Sequence, residues 1–413
     1  MTGLKDIFER GRHAVGKLLG KKGGAPSTSA PADPSAAEDT VDVVLKNTKV
    51  SGKLIAHITG SDSTGLFILG ADGKTPYRPA SPSKEQTPLE KDSAIVVGDA
   101  GKSRTVKVPR ISGSRIWFSK DEPLEFFLNP GDKGPALVEP SSTNPKDVNY
   151  KKDWGFCEFT YNQDELYVNV SYVDFVSLPI ALQLENQSGN VRRVDGMPAD
   201  GLQKVVAGLE AQGKKDGKGW EKLVIKDGSQ VLRAVSPNSG AVLFPKLFDG
   251  YYNAHVDKVW DKYRDEDLTV NTQYDWGDVK GRVGSDGKLT FKGDSKLGFD
   301  KPSAEDIFSC STGPFAGGEG VSPERLNIGA RLAAALNRST LLVNARQPEG
   351  EKTETYYKEG VTNHFARVCH ETTVESRGYA FPYDDVGPAE GKDQSGFLND
   401  PKPKVLTVEV GGK

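Results

Sequence analysis

Three kinds of feature are scarce in this sequence of 413 residues, and each scarcity excludes a class of protein. There are only three cysteines, Cys157, Cys310 and Cys369, too few and too far apart for a disulfide scaffold or a CxxC zinc site. No apolar run approaches the roughly 18 residues of a transmembrane helix. The 54 basic residues are balanced by 57 acidic ones, so the overall charge gives no indication of a nucleic-acid partner.

Glycine and proline, by contrast, are abundant. The sequence contains 46 Gly and 25 Pro, which together exceed the average usage of roughly 12%. Because these residues separate strands more often than they build helices, the excess favours a loop-rich β protein. The length predicts two or three compact domains.

Residues 1–40 differ in character from the rest of the chain. The apolar spacing over residues 3–20 predicts a basic amphipathic helix, and the Ala-, Ser- and Pro-rich stretch after it predicts a disordered linker. Binding of this helix to a membrane surface is one interpretation, but a solvated tail is favoured. The segment lacks the continuous apolar stretch of a secretory signal peptide, so we expect an intracellular or unconventionally exported protein, or a wrongly assigned start.

Short β-branched and aromatic runs follow one another from Val41 to about Glu185, at the spacing of a sandwich or barrel. After about Gly189, helices alternate with strands. The final run, KVLTVEV, resembles the early strands and is expected to rejoin their sheet. We therefore predict a mainly β protein: a β domain made of residues 41–188 and 377–413, with a mixed α/β domain of residues 189–376 inserted. Helices are predicted over 200–212, 247–264, 322–337 and 362–373, and further β segments over 339–345 and 378–386.

Three candidate sites find little support. The Gly-rich loop 313–323 precedes a helix but matches no phosphate-binding motif. His364, Cys369 and His370 lie close in sequence, yet no fourth ligand supports a zinc site. Cys157 falls inside a predicted strand, where a buried and unreactive thiol is the usual outcome.

The segment 144–185 carries the most informative pattern. Residues 156–162 and 165–175 form a predicted hairpin with its turn at Gln163–Asp164. One face of this hairpin combines polar side chains with an aromatic ring, which suits a sugar, although a solvent-facing sheet surface explains the pattern equally well. The side chains on that face are Glu158, Thr160, Asn162, Tyr167, Asn169 and Ser171.

The EFTYN and VSYVDFVSLPIALQL segments of this hairpin resemble glycoside hydrolase family 64. These are the β-1,3-glucanases that include the laminaripentaose-producing type, and they are structurally related to thaumatin-like proteins. The resemblance covers most of the chain from about residue 41. Further matching segments, in order, are SRIWFS, FFLNP, GPALVEPS, NPKDVNY, DGMPADGL, TNHFARVCHE, RGYAFPYDDV and DQSGFLND.

This resemblance implies an open groove between a thaumatin-like β-barrel domain and a mixed α/β domain. It also implies endo-acting, inverting hydrolysis of long-chain β-1,3-glucan by a monomer that needs no metal or organic cofactor. The general acid falls on Glu158 and the general base on Asp174. The family's sugar-contacting positions fall on Thr160, Asn162, Tyr167 and Ser171, with Asp384 as a further candidate for the groove wall.

The two carboxyl groups of an inverting glycosidase lie roughly 6.5–9.5 Å apart, so that water fits beside the sugar. A regular hairpin would place Glu158 opposite Asn169, and Asp174 about 17 Å further along the strand on the opposite face. The sequence therefore predicts a bulge or bend between Ser171 and Asp174. Phe156, on the same face as Glu158, favours the neutral form of that acid.

The alternative hypothesis is a glucan-binding, thaumatin-like protein without turnover. Such a protein would keep the groove but need not keep both carboxylates, and this chain keeps both. The predicted absence of a signal peptide conflicts with the resembled family, whose members are typically secreted. The sequence leaves open whether Cys310 and Cys369 form a disulfide.

Overall fold

The structure, a computed structural model, describes residues 39–293 and 298–413. The helix predicted over 3–20 and the linker after it lie outside these residues. Within them the chain is mainly β, as predicted, with 23 strands, six α-helices and four short 3-10 helices. None of these helices is both long enough and apolar enough to span a bilayer.

An eight-stranded sheet carries the predicted hairpin. With strands numbered in chain order, its spatial order is β22 (Phe397–Asp400), β12 (Leu166–Asn169), β11 (Trp154–Tyr161), β8 (Ile111–Lys120), β2 (Leu54–Asp62), β3 (Gly65–Leu69) and β4 (Pro76–Tyr77), and β6 (Ile95–Gly98) also pairs with β2.

A five-stranded sheet joins the two ends of the described chain. Its order is β15 (Val191–Val194), β14 (Ile180–Asn186), β23 (Pro403–Val410), β1 (Thr40–Asn47) and β7 (Ser103–Pro109). The last strand lies parallel to β1 and antiparallel to β14, so the prediction that it rejoins the early strands is confirmed. Every second residue of β1 is buried, and these side chains share one hydrophobic core with those of the eight-stranded sheet.

Three smaller sheets complete the β structure. One contains β5 (Thr87–Pro88), β9 (Phe127–Asn129) and β10 (Ala136–Val138). The second contains β13 (Phe175–Val176), β16 (Val224–Asp227) and β17 (Gln230–Val235). The third contains β18 (Leu268–Asn271), β19 (Asp278–Val283), β20 (Leu289–Phe291) and β21 (Arg346–Gln347).

All four predicted helices are present, with shifted ends. Ser322 caps one of them by accepting a hydrogen bond from the Arg325 amide, as its place before Pro323 predicts. Two further helices of seven and six residues were not predicted, because they are too short to show a helical period. The helices are α1 (Gly201–Asp216), α2 (Pro237–Leu243), α3 (Asn253–Asp265), α4 (Ala304–Ser309), α5 (Pro323–Arg338) and α6 (His364–Thr372).

Two of the predicted β segments are wrong. Residues 339–345 form turns rather than a strand, with the amides of Val343 and Asn344 bonded to the Thr340 carbonyl. Residues 378–386 also form turns, apart from one bridge at Tyr379. Strand β15, which lies in the predicted insertion, pairs with β14 in the five-stranded sheet, and the domain boundaries stay a prediction. For residues 339–345 and 378–386, side-chain composition indicated a strand, but tertiary contacts decided the local structure.

All three cysteines are buried and free, so Cys310 and Cys369 are not paired.

Candidate active site

The hairpin of β11 and β12 has the predicted register. Glu158 lies opposite Asn169, and Thr160 opposite Tyr167. The turn is closed by Asn162, whose side-chain Oδ1 accepts hydrogen bonds from the amides of Asp164 and Glu165 at 2.8 and 2.9 Å. Because an Asx turn of this kind fixes where the two strands meet, the local sequence sets the pairing of the whole hairpin.

Side chains alternate along β11, as the period of a strand requires. Cys157, Phe159 and Tyr161 point into the core and are buried, whereas Glu158 and Thr160 on the other side are partly exposed. Arg115 of the neighbouring strand β8 is the direct cross-strand partner of Glu158. We call the surface formed by Arg115, Glu158, Thr160, Tyr167 and Asn169 the polar face.

The chain leaves the sheet where a bend was predicted. Strand β12 ends at Asn169, and Ser171 forms only an isolated bridge, to Tyr379. Residues 173 and 174 form a bend, and Phe175 then pairs with Val235 of β17 in a different sheet. The predicted irregularity between Ser171 and Asp174 is therefore confirmed.

The guanidinium of Arg115 interacts electrostatically with three carboxylates at the polar face. Nη1 of Arg115 lies 2.6 Å from Oε2 of Glu139, and its Nη2 lies 3.2 Å from Oε1 of Glu158. Burial of the guanidinium works to lower the pKa of Arg115, but the neighbouring negative charges outweigh it and raise that pKa above its ordinary value. The acids responsible are Glu139, Glu158 and Asp174. The bend thus brings Asp174 into the electrostatic reach of the group that contacts Glu158.

An aromatic layer supports this cluster. The Arg115 guanidinium lies 4.7 Å from the ring centroid of Phe156 and 5.4 Å from that of Trp117. Those two rings are 5.0 Å apart, and Trp154 packs edge-on against Phe175 at 4.9 Å. All four rings are buried. The charged groups around Arg115 therefore pack against a rigid and largely desolvated aromatic surface.

Asn169 carries an unusual polar atom. The residue is only 6% exposed, and its Oδ1 has no hydrogen-bond partner among the described residues. Asn169 and Glu158 are directly paired across the hairpin, so their Cβ atoms lie about 4.5–5.5 Å apart on the same face. An unsatisfied buried acceptor is costly, and it marks a position where a donor is expected.

The other predicted sugar-binding residues lie along the same hairpin and the bend after it. The Tyr167 hydroxyl lies 2.9 Å from the Tyr379 hydroxyl, and its ring stacks on Phe397 at 5.4 Å. Ser171 accepts a hydrogen bond of 3.4 Å from the amide of Val173, within the bend.

Asp384 is placed differently from the other candidates. Its carboxylate is fully buried, 3.2 Å from Nη2 of Arg338 and 2.9 Å from Nε2 of His370. The Ala380 amide donates a further hydrogen bond of 2.8 Å. A carboxylate enclosed by these partners cannot line a groove, so its expected place on the groove wall is wrong.

Sequence reasoning did not identify Arg115 or Glu139 as part of the site. Each lies in a segment that carries the family resemblance, SRIWFS and GPALVEPS respectively. The available signal was an arginine in the interior of a strand, directly before the apolar run 116–118, since charged residues are rarely buried without a partner. Among the described residues, no group of three or more His, Cys, Asp or Glu side chains is arranged to hold a metal ion.

A family model described as "Beta-1,3-glucanase", for glycoside hydrolase family 64, matches residues 39–410. Among curated proteins, the chain is 28% identical to a "Glucan endo-1,3-beta-glucosidase" of Cellulosimicrobium cellulans and 27% identical to one of Arthrobacter sp. (strain YCWD3). Each alignment covers 95% of this chain and 68% of the relative.

Among solved structures, the chain is similar to a laminaripentaose-producing β-1,3-glucanase in complex with laminaritetraose. The TM-score is 0.78 at 28% identity, over 90% of this chain and 98% of that one. A GH64 β-1,3-glucanase domain from Clostridium beijerinckii shares the fold, with a TM-score of 0.69 at 23% identity over 91% and 100% of the two chains.

Proposed function

Because this chain belongs to the glycoside hydrolase family 64 β-1,3-glucanases, we propose that it hydrolyses β-1,3-glucan chains internally and with inversion of the anomeric carbon. Both curated relatives carry the name of an endo-1,3-β-glucosidase, and the similar structure at 28% identity holds a β-1,3-linked tetrasaccharide. Glu158 is the general acid in this proposal, and Asp174 is the general base.

The observation that carries the proposal is that Glu158 and Asp174 both interact electrostatically with Arg115. A regular hairpin would separate the two acids, but the bend after Ser171 returns Asp174 to the surroundings of the guanidinium that contacts Glu158. Double displacement and inversion at a sugar carbon both require two carboxyl groups, one on either side of the glycosidic bond. Inversion follows if a water molecule fits between Asp174 and the sugar.

Glu158 is suited to hold a proton for the leaving oxygen. Phe156 lies two residues before Glu158 on β11 and on the same face, and its ring is buried. An apolar neighbour disfavours the ionised form of a carboxyl group. The unpartnered Oδ1 of Asn169 supplies an acceptor for the O–H of the protonated acid. In the proposed step, that proton passes to the glycosidic oxygen as its bond to the anomeric carbon breaks.

Asp174 is suited to activate water. It follows the end of the hairpin, where the chain turns towards β13, and its carbonyl accepts a hydrogen bond of 2.9 Å from the amide of Ser236. That backbone contact fixes the bend that carries the side chain. In the proposed step the carboxylate takes a proton from the water that attacks the opposite face of the sugar ring.

The remaining polar side chains are proposed to bind the glucan along the hairpin. The ring of Tyr167 provides an apolar surface for the C–H face of a glucose unit, with Thr160 directly across the strand pair. Because Oδ1 of Asn162 is already occupied by two backbone amides, its NH2 group is the part available to a sugar hydroxyl. Ser171 lies on the side of the bend nearer the hairpin.

Release of reducing ends from a linear β-1,3-glucan tests the proposal. Wild type should be active, and E158Q and D174N should each lose about 100- to 10,000-fold in kcat, the usual contribution of a general acid or base. E185Q is the matched control, because Glu185 forms an exposed ion pair with Lys404 on the other sheet. Its activity should equal that of wild type.

Proton NMR of the first product formed tests the stereochemistry. Inversion of a β linkage yields the α-anomer before mutarotation, whereas retention yields the β-anomer. Equal activity of E158Q and wild type would refute the assignment of the acid. Binding of the glucan without any hydrolysis by wild type would instead favour the non-catalytic alternative.

A further inference from the structure

Strand β17 contains a fully buried arginine, Arg233, whose charge is poorly compensated. The residue is 0% exposed, and its Nε and Nη1 have no hydrogen-bond partner among the described residues. Burial lowers the pKa of Arg233 to about 10, and the charges of Asp153 and Asp147 offset this only in part. Because apolar residues of similar volume often serve stability equally well or better, the presence of this charge calls for another reason.

The remaining nitrogen connects Arg233 to the strand of the proposed acid. Its Nη2 donates hydrogen bonds to the carbonyl oxygens of Tyr150 at 2.7 Å and Lys152 at 3.0 Å. The guanidinium also lies 5.4 Å from the ring centroid of Trp154, the first residue of β11. Since Glu158 lies on that same strand, Arg233 holds the beginning of the strand that carries the proposed acid.

The same side chain contacts the segment of the proposed base. The guanidinium lies 5.8 Å from the ring centroid of Phe175, which directly follows Asp174. Phe175 pairs with Val235, two residues after Arg233 and on the same face of β17. The amide of the next residue, Ser236, donates to the Asp174 carbonyl at 2.9 Å. Strand β17 therefore carries both the guanidinium and the backbone contacts of the bend.

From these contacts we infer that Arg233 is a positioning residue, which sets the separation of Glu158 and Asp174 by binding the segments of both. This inference rests on the proposed function, because it concerns the proposed acid and base. Their separation decides whether a water molecule fits between the base and the sugar. Arg233 is fully buried, so it acts through these two segments and does not touch the substrate.

The variant R233M removes the two hydrogen bonds and keeps an unbranched side chain that packs against the same rings. We expect it to fold, because the Ser177 hydroxyl still donates to the Trp154 carbonyl at 2.6 Å and β13 still pairs with β17. A displacement of about 1 Å in a catalytic group costs roughly 100-fold in rate. We therefore expect kcat to fall about 10- to 100-fold and KM to stay within about twofold of wild type.

Sodium azide identifies which catalytic group has been displaced. Azide attacks the anomeric carbon without losing a proton, so it replaces both the water and the base. The new C–N bond forms as the bond to the glycosidic oxygen breaks, and Glu158 gives its proton to that oxygen. The product is an α-glycosyl azide. On a linear β-1,3-glucan oligosaccharide, azide should raise the rates of D174N and R233M with formation of this product, and should raise neither that of E158Q nor that of wild type.

R331M is the matched control, because Arg331 is another buried arginine. It is 1% exposed, burial lowers its pKa to about 10, and its Nε donates to the Asn271 carbonyl at 2.8 Å. It lies on α5, outside the strands that carry the proposed acid and the bend. At a temperature where the variant is folded, R331M should keep the wild-type kcat and show no response to azide.

A wild-type kcat in R233M, or a lowered kcat that azide does not restore, would overturn the inference. Recovery of D174N in the same experiment would leave the proposed function intact. If R233M does not fold by circular dichroism, R233K, which keeps the charge but not the planar group, takes its place with the same expectation. Failure of both variants to fold also overturns the inference. Wild-type activity of D174N without azide would overturn the proposed base and, with it, the role of Arg233.

Discussion

Replacing Asp384 with asparagine distinguishes a structural carboxylate from one that binds substrate. The side chains of Asp384 and Arg338 are 0% and 2% exposed, and the carboxylate is shared between Arg338 and His370. The substitution keeps the shape of the side chain and removes its charge. It leaves two buried basic groups without one of their partners, and this costs more than the loss of a surface pair.

The expected loss of stability follows from that burial. Removing one partner of a buried ion pair costs about 3–5 kcal/mol, and the lower figure applies because Arg338 keeps Glu351 at 3.5 Å. With an unfolding entropy of roughly 2.1 cal/mol/K per residue, a loss of about 3 kcal/mol lowers the melting temperature by roughly 4 °C if the whole chain unfolds together.

The difference in the free energy of unfolding between D384N and wild type also depends on pH in a predictable direction. Burial alone raises the pKa of Asp384, but the charge and hydrogen bond of His370 and the charge of Arg338 outweigh it, so that pKa lies below its ordinary value. The ionised Asp384 therefore stabilises the folded state fully above about pH 4, the ordinary Asp pKa. This stabilisation is lost as the pH falls through the lower pKa that Asp384 has in the folded state.

Thermal unfolding at pH 7, followed by circular dichroism, measures this effect. D300N is the control, since Asp300 forms an exposed pair with Lys288 and the same chemical change there should cost at most about 1 kcal/mol. At a temperature where both variants are folded, the KM of D384N should match that of wild type. An unchanged melting temperature with a raised KM would refute the structural role and restore Asp384 to the groove wall.

Two further predictions concern the hairpin and the core. Y167A should raise KM about tenfold through loss of a stacking surface, whereas Y167F keeps the ring over Phe397, loses the hydroxyl contact with Tyr379 and should stay near the wild-type KM. Burial lowers the pKa of His57 to about 4, so the unfolded chain binds a proton between about pH 6.5 and pH 4 that the folded chain does not. Acidification over that range should cost about 3 kcal/mol of stability through His57, and the loss should be smaller by that amount in H57Q, as urea titrations at several pH values would reveal.

Most features of the hairpin of β11 and β12 are determined by its local sequence. The alternation of Glu158 and Thr160 with buried neighbours, and the turn at Asn162, follow from strand periodicity and from an Asx turn. The register of Glu158 with Asn169 then follows from the turn. The bend before Phe175 was predicted only because the family resemblance placed a second acid where a regular strand could not bring it.

Other features depended on contacts between distant segments. Residues 339–345 have a strand-like composition, but their carbonyls are taken by distant side chains, such as that of Tyr263 at Leu341 and Asn344. Asp384 lies in a segment that carries the family resemblance, yet it is enclosed by Arg338 and His370. Neither outcome is visible in a sequence window, because each partner lies well outside it.

The sequence by itself determined the mainly β character, the four longer helices, the hairpin register and the family, because periodicity, capping residues and turn residues act over a few neighbouring positions. Tertiary structure alone decided which charges meet: that Arg115 joins Glu139 to Glu158, that Asp174 returns beside them, and that Asp384 is enclosed. The reason is that electrostatic contacts depend on distance in space, and strands far apart in the chain become neighbours only when the sheets assemble.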